Sequence, residues 1–254
     1  MARSLDAQAL AAGNRKRFIG FISHEARTLV ATMVGGLELM AQHNDPGLRQ
    51  RIVDGLRANA SGLKQLLDES LDAAAIDAGA VRVRPRAVRV ACVMAQLRGE
   101  AAALAAAKQL ELVVDIHGAR ELYALADPVR LAQALRNLVF NALKFTHRGG
   151  VCISAALHHV DGVPQVAIEV ADSGPGIEAA DVERLFQPFS QLEQSQPAHP
   201  GSGLGLAISR ELVQRMQGRL TVRSRPGQGS VFVIELPAVE GARPAGAIAT
   251  LAVI

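Results

Sequence analysis

Two asparagines and a lysine in the segment NLVFNALKFT carry side chains that suit a nucleotide and its metal ion. Asn137 and Asn141 are four residues apart, so a helix places them on one face, and Lys144 follows three residues later. Amide oxygens suit a partly hydrated Mg²⁺, and lysine supplies positive charge for a phosphate. Taken alone, the segment is better explained as a helix with polar residues on its solvent side.

The segment DSGPGI, residues 172–177, combines a carboxylate with two glycines. The pattern predicts that Asp172 ends a strand, and that Gly174 and Gly176 let the backbone bend close to a flat ligand. A carboxylate at this point can accept a hydrogen bond from the exocyclic amine of adenine. A tight turn explains the segment equally well, because these residue types are common in turns.

A glycine-rich segment, GSGLGL, lies immediately before a predicted helix and contains Gly201, Gly203, Leu204 and Gly205. Exposed backbone N–H groups and the helix dipole would make an anion site there. A dinucleotide-binding loop is the competing explanation, but no strand runs into these glycines. The polar stretch 190–200 does so instead, and it predicts a mobile lid over a nucleotide. The segment FQPF, residues 186–189, predicts a hydrophobic plug at the base of that lid.

The elements that would position these groups mix helices and strands from about residue 88 onward. Asp127 is a natural N-cap for the helix that carries the asparagines, with Pro128 at its first position. Asp161 and Gly162 predict the turn between two antiparallel strands. The sequence indicates helices at 90–108, 127–145 and 204–216, and strands at 111–116, 122–126, 150–158, 163–170, 219–224 and 230–236. This order predicts an α+β sandwich, one sheet backed by helices.

The N-terminal part has the pattern of two amphipathic helices joined by a short turn. One apolar stripe runs through Phe18, Ile22, Leu29, Met33, Leu37 and Met40, and a second through Ile52, Leu56, Leu63, Leu67 and Leu71. The residues Asn44, Asp45, Pro46 and Gly47 signal the turn between them. One such hairpin cannot bury both stripes, so we expect two copies to form a four-helix bundle. His24 lies off the first stripe, on the outward side.

Composition excludes several function classes. Apolar residues make up 49% of the 254 residues, which is enough for a packed core. Only 3% are aromatic and the net charge is +3, so we expect no nucleic-acid partner. No apolar run approaches the roughly 20 residues of a membrane span, and no signal peptide is evident, so we expect a cytoplasmic protein. The segment VRVRPRAVRV predicts a short strand and linker, where the domain boundary would fall.

In this order, the clusters resemble the N, G1, F and G2 boxes of the histidine-kinase ATP-binding domain, and FISHEART, residues 21–28, resembles the H box. The resemblance to sensor histidine kinases of two-component systems runs from about Arg15 to Pro237. It implies a dimerising, phosphoaccepting helical hairpin over 1–80, a linker over 81–89, an ATP-binding domain of the Bergerat/GHKL type over 90–238 and a tail over 239–254. The core of a hybrid kinase also fits this pattern, as does the cytoplasmic portion of a larger sensor.

The resemblance also implies roles for individual residues. His24 would accept the phosphoryl group, Glu25 would draw off the ring proton, and Thr28 would position water if the protein also dephosphorylates its partner. The cofactors would be ATP and Mg²⁺, and the partners a second copy and the receiver domain of a response regulator. The nucleotide would be held by Asn137, Asn141 (through Mg²⁺), Lys144, Asp172, Gly174, Gly176, Gly201, Gly203, Leu204 and Gly205.

Two residues depart from the family's H box. Leu29 stands where a proline is usual, which predicts a straighter first helix, and Ala26 replaces a larger apolar residue. Both departures could alter switching between kinase and phosphatase behaviour, and Leu29 also favours keeping a non-catalytic alternative. Two other functions are open, although FISHEART argues against the first of them. One is an ATPase of the same superfamily that drives a conformational clamp, and the other is a nucleotide-binding dimeric scaffold that regulates a partner without catalysis.

Overall fold

The computed structural model of the protein describes residues 2–43, 45–188, 190 and 203–239. The chain divides into two compact units. The first comprises Met1–Val81 with Pro200–Leu204, and the second comprises Arg82–His199 with Gly205–Ile254.

The first unit is built on two long helices that pack against each other, α1 (Ala2–Gln42) and α2 (Pro46–Asp77). The predicted turn signal acts as a helix cap, because the Asp45 carboxylate accepts hydrogen bonds from the backbone N–H groups of Gly47 and Leu48. Helix α1 is continuous through Leu29, which stands where the H box usually has a proline, since Leu29 keeps its backbone N–H. The predicted helical hairpin is confirmed.

Helices α1 and α2 approach each other closely at Gly36 of α1, a residue without a side chain. A Cβ added at Gly36 would lie 3.3 Å from Leu56 and 3.4 Å from Ile52. These two leucine and isoleucine side chains therefore fill the space that the glycine leaves.

The apolar stripe predicted along α2 is only partly covered in the single chain, as expected for one hairpin. Leu67 and Leu71 are 49% and 70% exposed, whereas Leu66 is buried. A pair of helices covers only a narrow seam on each partner. Other large apolar side chains of the hairpin are also exposed in the single chain: Val30, Val34, Leu37 and Leu39.

The second unit mixes strands and helices. Its elements are β1 (Arg86–Arg89), α3 (Val90–Ala107), β2 (Glu111–Val114), β3 (Tyr123–Ala126), α4 (Pro128–Phe145), β4 (Gly150–Val160), β5 (Val163–Asp172), α5 (Ala179–Val182), a 3₁₀ turn (Arg184–Phe186), α6 (Gly205–Arg215), β6 (Arg219–Arg225) and β7 (Gly229–Pro237). These bounds agree with the predicted elements to within a few residues. The linker segment contributes β1, which pairs antiparallel with β3.

A five-stranded sheet of order β2-β4-β5-β7-β6 forms one layer, and helices form the other. The β2–β4 pair is parallel and the remaining pairs are antiparallel. Alternate residues of β5 and β7 point into the core against α3, α4 and α6: Val166, Ile168, Val170, Phe232, Ile234 and Leu236. The predicted α+β sandwich, one sheet backed by helices, is confirmed.

Helix α3 is long and apolar enough to cross a membrane by length and composition alone. Seven of its residues are buried in the second unit: Val90, Ala91, Val93, Met94, Leu97, Ala101 and Ala105. Its apolar character is therefore explained by its position in the core of this unit, beneath β2 and beside α4.

Candidate functional site

Helix α4 carries the predicted asparagines and is fixed at both ends. At its N-terminus the Asp127 carboxylate accepts from the N–H groups of Val129 (3.0 Å) and Arg130 (3.3 Å), as predicted for an N-cap. At its C-terminus the Lys108 ammonium donates to the carbonyls of Leu143 (2.7 Å) and Lys144 (2.9 Å). These bonds satisfy backbone groups that a helix end otherwise leaves without a partner.

The two asparagines form one hydrogen-bonded chain with a buried serine. Asn137 donates through Nδ2 to Oγ of Ser209 on α6 at 2.9 Å, and Asn141 donates through Nδ2 to Oδ1 of Asn137 at 3.3 Å. A Cβ at Gly205, one turn before Ser209, would collide with the Asn137 amide, so glycine is required there. The last glycine of GSGLGL thus serves the packing of α6 on α4.

This arrangement fits a magnesium-bound nucleotide. Because Asn141 uses its Nδ2 for Asn137, its Oδ1 is left to accept a ligand, and a neutral amide oxygen is a suitable Mg²⁺ ligand. Lys144 lies in the last turn of the same helix, with Nζ 5.2 Å from the centre of the Phe145 ring. A hard metal ion and a phosphate would therefore find an oxygen ligand and a cation on one helix.

Asp172 is the last residue of β5, as predicted, and it is half-buried. Burial raises the pKa of its carboxyl group, against the opposing effect of hydrogen bonds from the N–H groups of Gly174 (2.8 Å) and Ser230. A Cβ at Gly174 would lie 2.8 Å from Oδ1 of Asp172 and 3.5 Å from Oγ1 of Thr146. Thr146 is fully buried, and within the described part of the chain its hydroxyl has no partner.

The absence of a side chain at Gly174 therefore lets the Asp172 carboxylate approach the backbone closely, with the Thr146 hydroxyl nearby. A buried hydroxyl without a partner costs about 1–3 kcal/mol, so a molecule that hydrogen-bonded to Thr146 would be favoured. The carboxylate and the hydroxyl together are suitable partners for a polar group such as a purine edge.

Gly176 has a structural role in addition to its predicted place near a ligand. Its φ is 72°, and a Cβ there would collide with the backbone of Arg225 at the end of β6, just before the turn to β7. The N–H of Gly227 in that turn also donates to the carbonyl of Pro175 at 2.6 Å. The second glycine of DSGPGI thus lets the segment after Asp172 lie against that turn.

Replacing Asp172 by asparagine is expected to weaken binding of an ATP analogue about 10- to 100-fold. This factor corresponds to the free energy that a hydrogen bond to a charged group contributes. The single amide oxygen would still accept from Gly174, so an NH₂ group would face the adenine amine. The measurement is a calorimetric titration at neutral pH. Unchanged affinity would contradict a purine contact at this residue.

The same substitution is expected to leave the fold intact and to change its pH dependence. A raised pKa means that Asp172 contributes stability that is fully present below the pKa of the unfolded chain and is lost as pH rises through the folded pKa. The asparagine variant lacks this loss, so at neutral pH we expect a melting temperature at or above that of the natural protein.

The affinity of the natural protein for the ATP analogue should also depend on pH. As the pH is lowered, the affinity should fall, and the fall should begin at a pH above the ordinary pKa of an aspartate, because the pKa of Asp172 is raised and a protonated carboxyl group accepts hydrogen bonds less well than a carboxylate. The asparagine variant should show no such fall.

The glycine-rich segment is described only in part. Gly201, Phe189 and the predicted lid after residue 190 lie outside the described residues. Gly203 has a φ of 68°, a left-handed conformation that favours glycine, and Leu204 is buried. Phe186 is buried too, as the predicted plug requires, and the Arg210 guanidinium lies 5.2 Å from the centre of its ring.

His24 lies in the first unit on α1, where its side chain is exposed, as predicted. Glu25 follows it and is half-buried. The Thr28 hydroxyl donates to the backbone carbonyl of His24 at 3.0 Å, an i−4 bond within the helix. The imidazole is thus open to an incoming group, and a carboxylate is adjacent in the chain.

Comparison with known proteins gives a consistent result. Residues 126–240 match the family of histidine kinase-, DNA gyrase B- and HSP90-like ATPases. The chain is 35% identical over 243 residues to the sensor histidine kinase RcsC of Escherichia coli K12, covering 93% of this chain and 25% of RcsC. It is 36% identical over 225 residues to the sensor histidine kinase GacS of Pseudomonas protegens, covering 87% and 24% of the two chains. The chain therefore spans about a quarter of the length of these relatives.

Solved structures give the same result for the fold. The structure of full-length ShkA in complex with AMPPNP matches with a TM-score of 0.63 and 26% identity, over 90% of this chain and 47% of ShkA. The histidine kinase AdeS of Acinetobacter baumannii matches with a TM-score of 0.61 and 20% identity, over 84% of this chain and 97% of AdeS. The second likeness concerns the fold alone.

Proposed function

Because the chain belongs to the sensor histidine kinase family, with an ATPase domain of the type shared with DNA gyrase B and HSP90, we propose that it phosphorylates its own His24 with ATP. The phosphoryl group would then pass to an aspartate of a response-regulator receiver domain. The observation that carries the proposal is the ordered pair of amides on α4, which leaves the Asn141 oxygen available beside Lys144.

The proposed reaction is an in-line phosphoryl transfer. A ring nitrogen of His24 attacks the γ-phosphorus of ATP, the bond from that phosphorus to the β–γ bridging oxygen breaks, and ADP leaves. Glu25 takes the proton that the imidazole loses, which would keep the ring nitrogen nucleophilic. The product carries a phosphorus–nitrogen bond on His24.

The second unit would bind the nucleotide. Asn141, oriented by Asn137, would hold Mg²⁺, and Lys144 would contact a phosphate. Bound Mg²⁺ would neutralise charge on the phosphates during transfer. Asp172, beside Gly174, would accept from the adenine amine. The segment that contains Gly201, Gly203, Leu204 and Gly205 would cradle the phosphates through its backbone N–H groups.

Dimerisation of the hairpin is part of the proposal. Val30, Val34 and Leu37 are about half exposed and are spaced by four and three residues, so they form one apolar strip on α1. Leu67 and Leu71, one turn apart, add a similar strip on α2. A second copy would cover these strips in a four-helix bundle, with residues 1–80 as the dimerisation domain, 81–89 as a linker, 90–238 as the catalytic domain and 239–254 as a tail.

We further propose that the chain lies in the cytoplasm and that it is the core of a longer sensor or hybrid kinase. The second of these proposals is supported by its relatives, which are about four to five times as long and are matched over nearly all of this chain. Thr28, one turn after His24, is proposed to position water if the protein also removes phosphate from its partner. A straight α1 at Leu29 would affect switching between these activities rather than the chemistry.

Incubation of the purified chain with Mg²⁺ and γ-labelled ATP tests the proposal. Phosphohistidine predicts protein-bound label that survives base and is lost in acid, and this label should then move to a receiver domain that contains the acceptor aspartate. A chain that binds ATP but acquires no label would instead favour the nucleotide-binding scaffold. Label that is stable to acid would place the phosphate on a hydroxyl group and would contradict His24 as the acceptor.

A further inference from the structure

Ser209 is one of three buried polar residues in the described part of the chain, together with Thr146 and Ser230. It lies on α6, is 2% exposed and accepts a hydrogen bond from Nδ2 of Asn137 across the interface between α6 and α4. A buried hydroxyl in a helix that otherwise packs through apolar residues is costly unless it has a specific partner. Here that partner is a predicted site residue, Asn137.

The direction of the hydrogen bonds makes Ser209 more than a packing residue. A carboxamide has a donor end and an acceptor end, so fixing one end of Asn137 fixes the other. Asn137 donates through Nδ2 to Ser209, so its Oδ1 faces Asn141 and accepts a hydrogen bond from Nδ2 of Asn141. The oxygen of Asn141 is therefore left for a ligand.

A serine hydroxyl can both donate and accept, so Ser209 anchors the Asn137 amide across the interface rather than selecting which end of it faces α6. Removing the hydroxyl would take away the partner of Asn137 on α6. Asn141 would then be held by an amide that is itself free to move.

The packing around the amide restricts it further. A Cβ at Gly205 would overlap Oδ1, Cγ and Nδ2 of Asn137, so the amide lies flat against the first turn of α6. Gly205 and Ser209 are four residues apart and lie on the same face of that helix. One residue leaves room for the amide and the other supplies its hydrogen-bond acceptor.

We propose that Ser209 is a positioning residue for the magnesium ion of the bound nucleotide. It anchors the Asn137 amide across the interface between α6 and α4, and this amide in turn holds Asn141 with its oxygen left for the metal. The inference rests on the proposed nucleotide site but not on phosphorylation of His24. Outer-shell partners of this kind typically change metal affinity 10- to 100-fold when they are removed.

Binding of a non-hydrolysable ATP analogue, titrated at several Mg²⁺ concentrations and in EDTA, tests this inference. Ser209→Ala is expected to need about 10-fold more Mg²⁺ for the same gain in affinity, while binding in EDTA stays as in the natural protein. Thermal unfolding recorded in parallel separates this effect from a loss of fold.

A matched pair of variants keeps the test independent of packing. Threonine and valine have nearly the same shape, so Ser209→Thr and Ser209→Val place the same extra methyl group in the interface and differ only in the hydroxyl. We expect the threonine variant to bind Mg²⁺ with the analogue more tightly than the valine variant.

The inference would be overturned if Ser209→Ala had the same Mg²⁺ dependence of analogue binding as the natural protein, or if the threonine and valine variants had the same Mg²⁺ dependence as each other. It would also be overturned if Ser209→Ala lost the same factor in analogue affinity with Mg²⁺ and in EDTA. A natural protein whose analogue binding ignores Mg²⁺ would also overturn it. A natural protein that binds the analogue with Mg²⁺ but acquires no phosphate on His24 would refute the kinase proposal and leave the role of Ser209 standing.

Discussion

Replacing His24 by glutamine is expected to abolish protein-bound phosphate completely while leaving the affinity for an ATP analogue unchanged. Glutamine keeps the length and polarity of the side chain but has no nucleophilic ring nitrogen. His24 lies on α1 in the first unit, whereas the proposed nucleotide site includes residues of α4, α6 and β5 in the second. Loss of the acceptor should therefore leave the nucleotide site intact.

His43 provides the matched control for this experiment. It is an exposed histidine just after the end of α1, without an adjacent acid. His43→Gln should retain full labelling. Residual label in His24→Gln, or loss of label in His43→Gln as well, would contradict the assignment of the acceptor. ATPase turnover that persists unchanged in His24→Gln, with no phosphoenzyme in the natural protein, would favour an ATP-driven clamp instead.

Replacing Asn141 by alanine is expected to remove the effect of Mg²⁺ on nucleotide binding and to lower autophosphorylation to background. The substitution removes the amide oxygen that would ligate the metal, and it also leaves Oδ1 of Asn137 without its donor. The loss should be at least the 10- to 100-fold that removing an outer-shell partner of a metal costs. Analogue titrations with and without Mg²⁺ measure it directly.

Asn141→Asp is the informative companion variant, because it keeps an oxygen ligand and lacks only the amide donor. It should retain part of the Mg²⁺ dependence. Asn141 belongs to the second unit, and the exposed apolar strips of the hairpin belong to the first. Light scattering should therefore give the same oligomeric state for both variants as for the natural protein. A monomer in either variant would show that Asn141 acts on assembly rather than on the metal.

Short-range patterns in the sequence predicted much of the fold. Asp127 before Pro128 predicted the start of α4, and Asp161 with Gly162 predicted the turn between β4 and β5, where both residues have positive φ. These signals depend on the local backbone and so can be read without the tertiary structure. The spacing of Asn137 and Asn141 was informative for the same reason, because a helix fixes which residues share a face.

Local patterns did not show what a neighbour distant in the chain decides. Gln217 adopts the left-handed conformation after α6, with a φ of 60°, although a glycine follows it. That glycine, Gly218, is constrained by β7, since a Cβ there would collide with the carbonyl of Glu235. Periodicity likewise could not show that the single chain buries Leu66 and leaves Leu67, a residue of the predicted stripe, exposed.

The residues of the candidate site also divide into those that a local motif identifies and those whose partners are distant in the chain. Asp172 and the asparagines could be found from their motifs, whereas Ser209 and Lys108 could not. Ser209 lies 72 residues from Asn137, and Lys108 lies 35 residues from Leu143. A serine in a helix and a lysine after one carry no distinctive local signal. Their roles depend on the packing of α6 and α3 against α4, which only the tertiary structure gives.

Localisation of the phosphoryl group by tandem mass spectrometry, after incubation of the purified chain with ATP and Mg²⁺ and digestion at neutral pH, tests the central claim most directly. The account predicts a phosphoryl group on the peptide that contains FISHEART, carried by His24 and absent when Mg²⁺ is chelated. Phosphate carried by Thr28, Thr32 or any other hydroxyl, or ATP hydrolysis without a phosphorylated peptide, would contradict it.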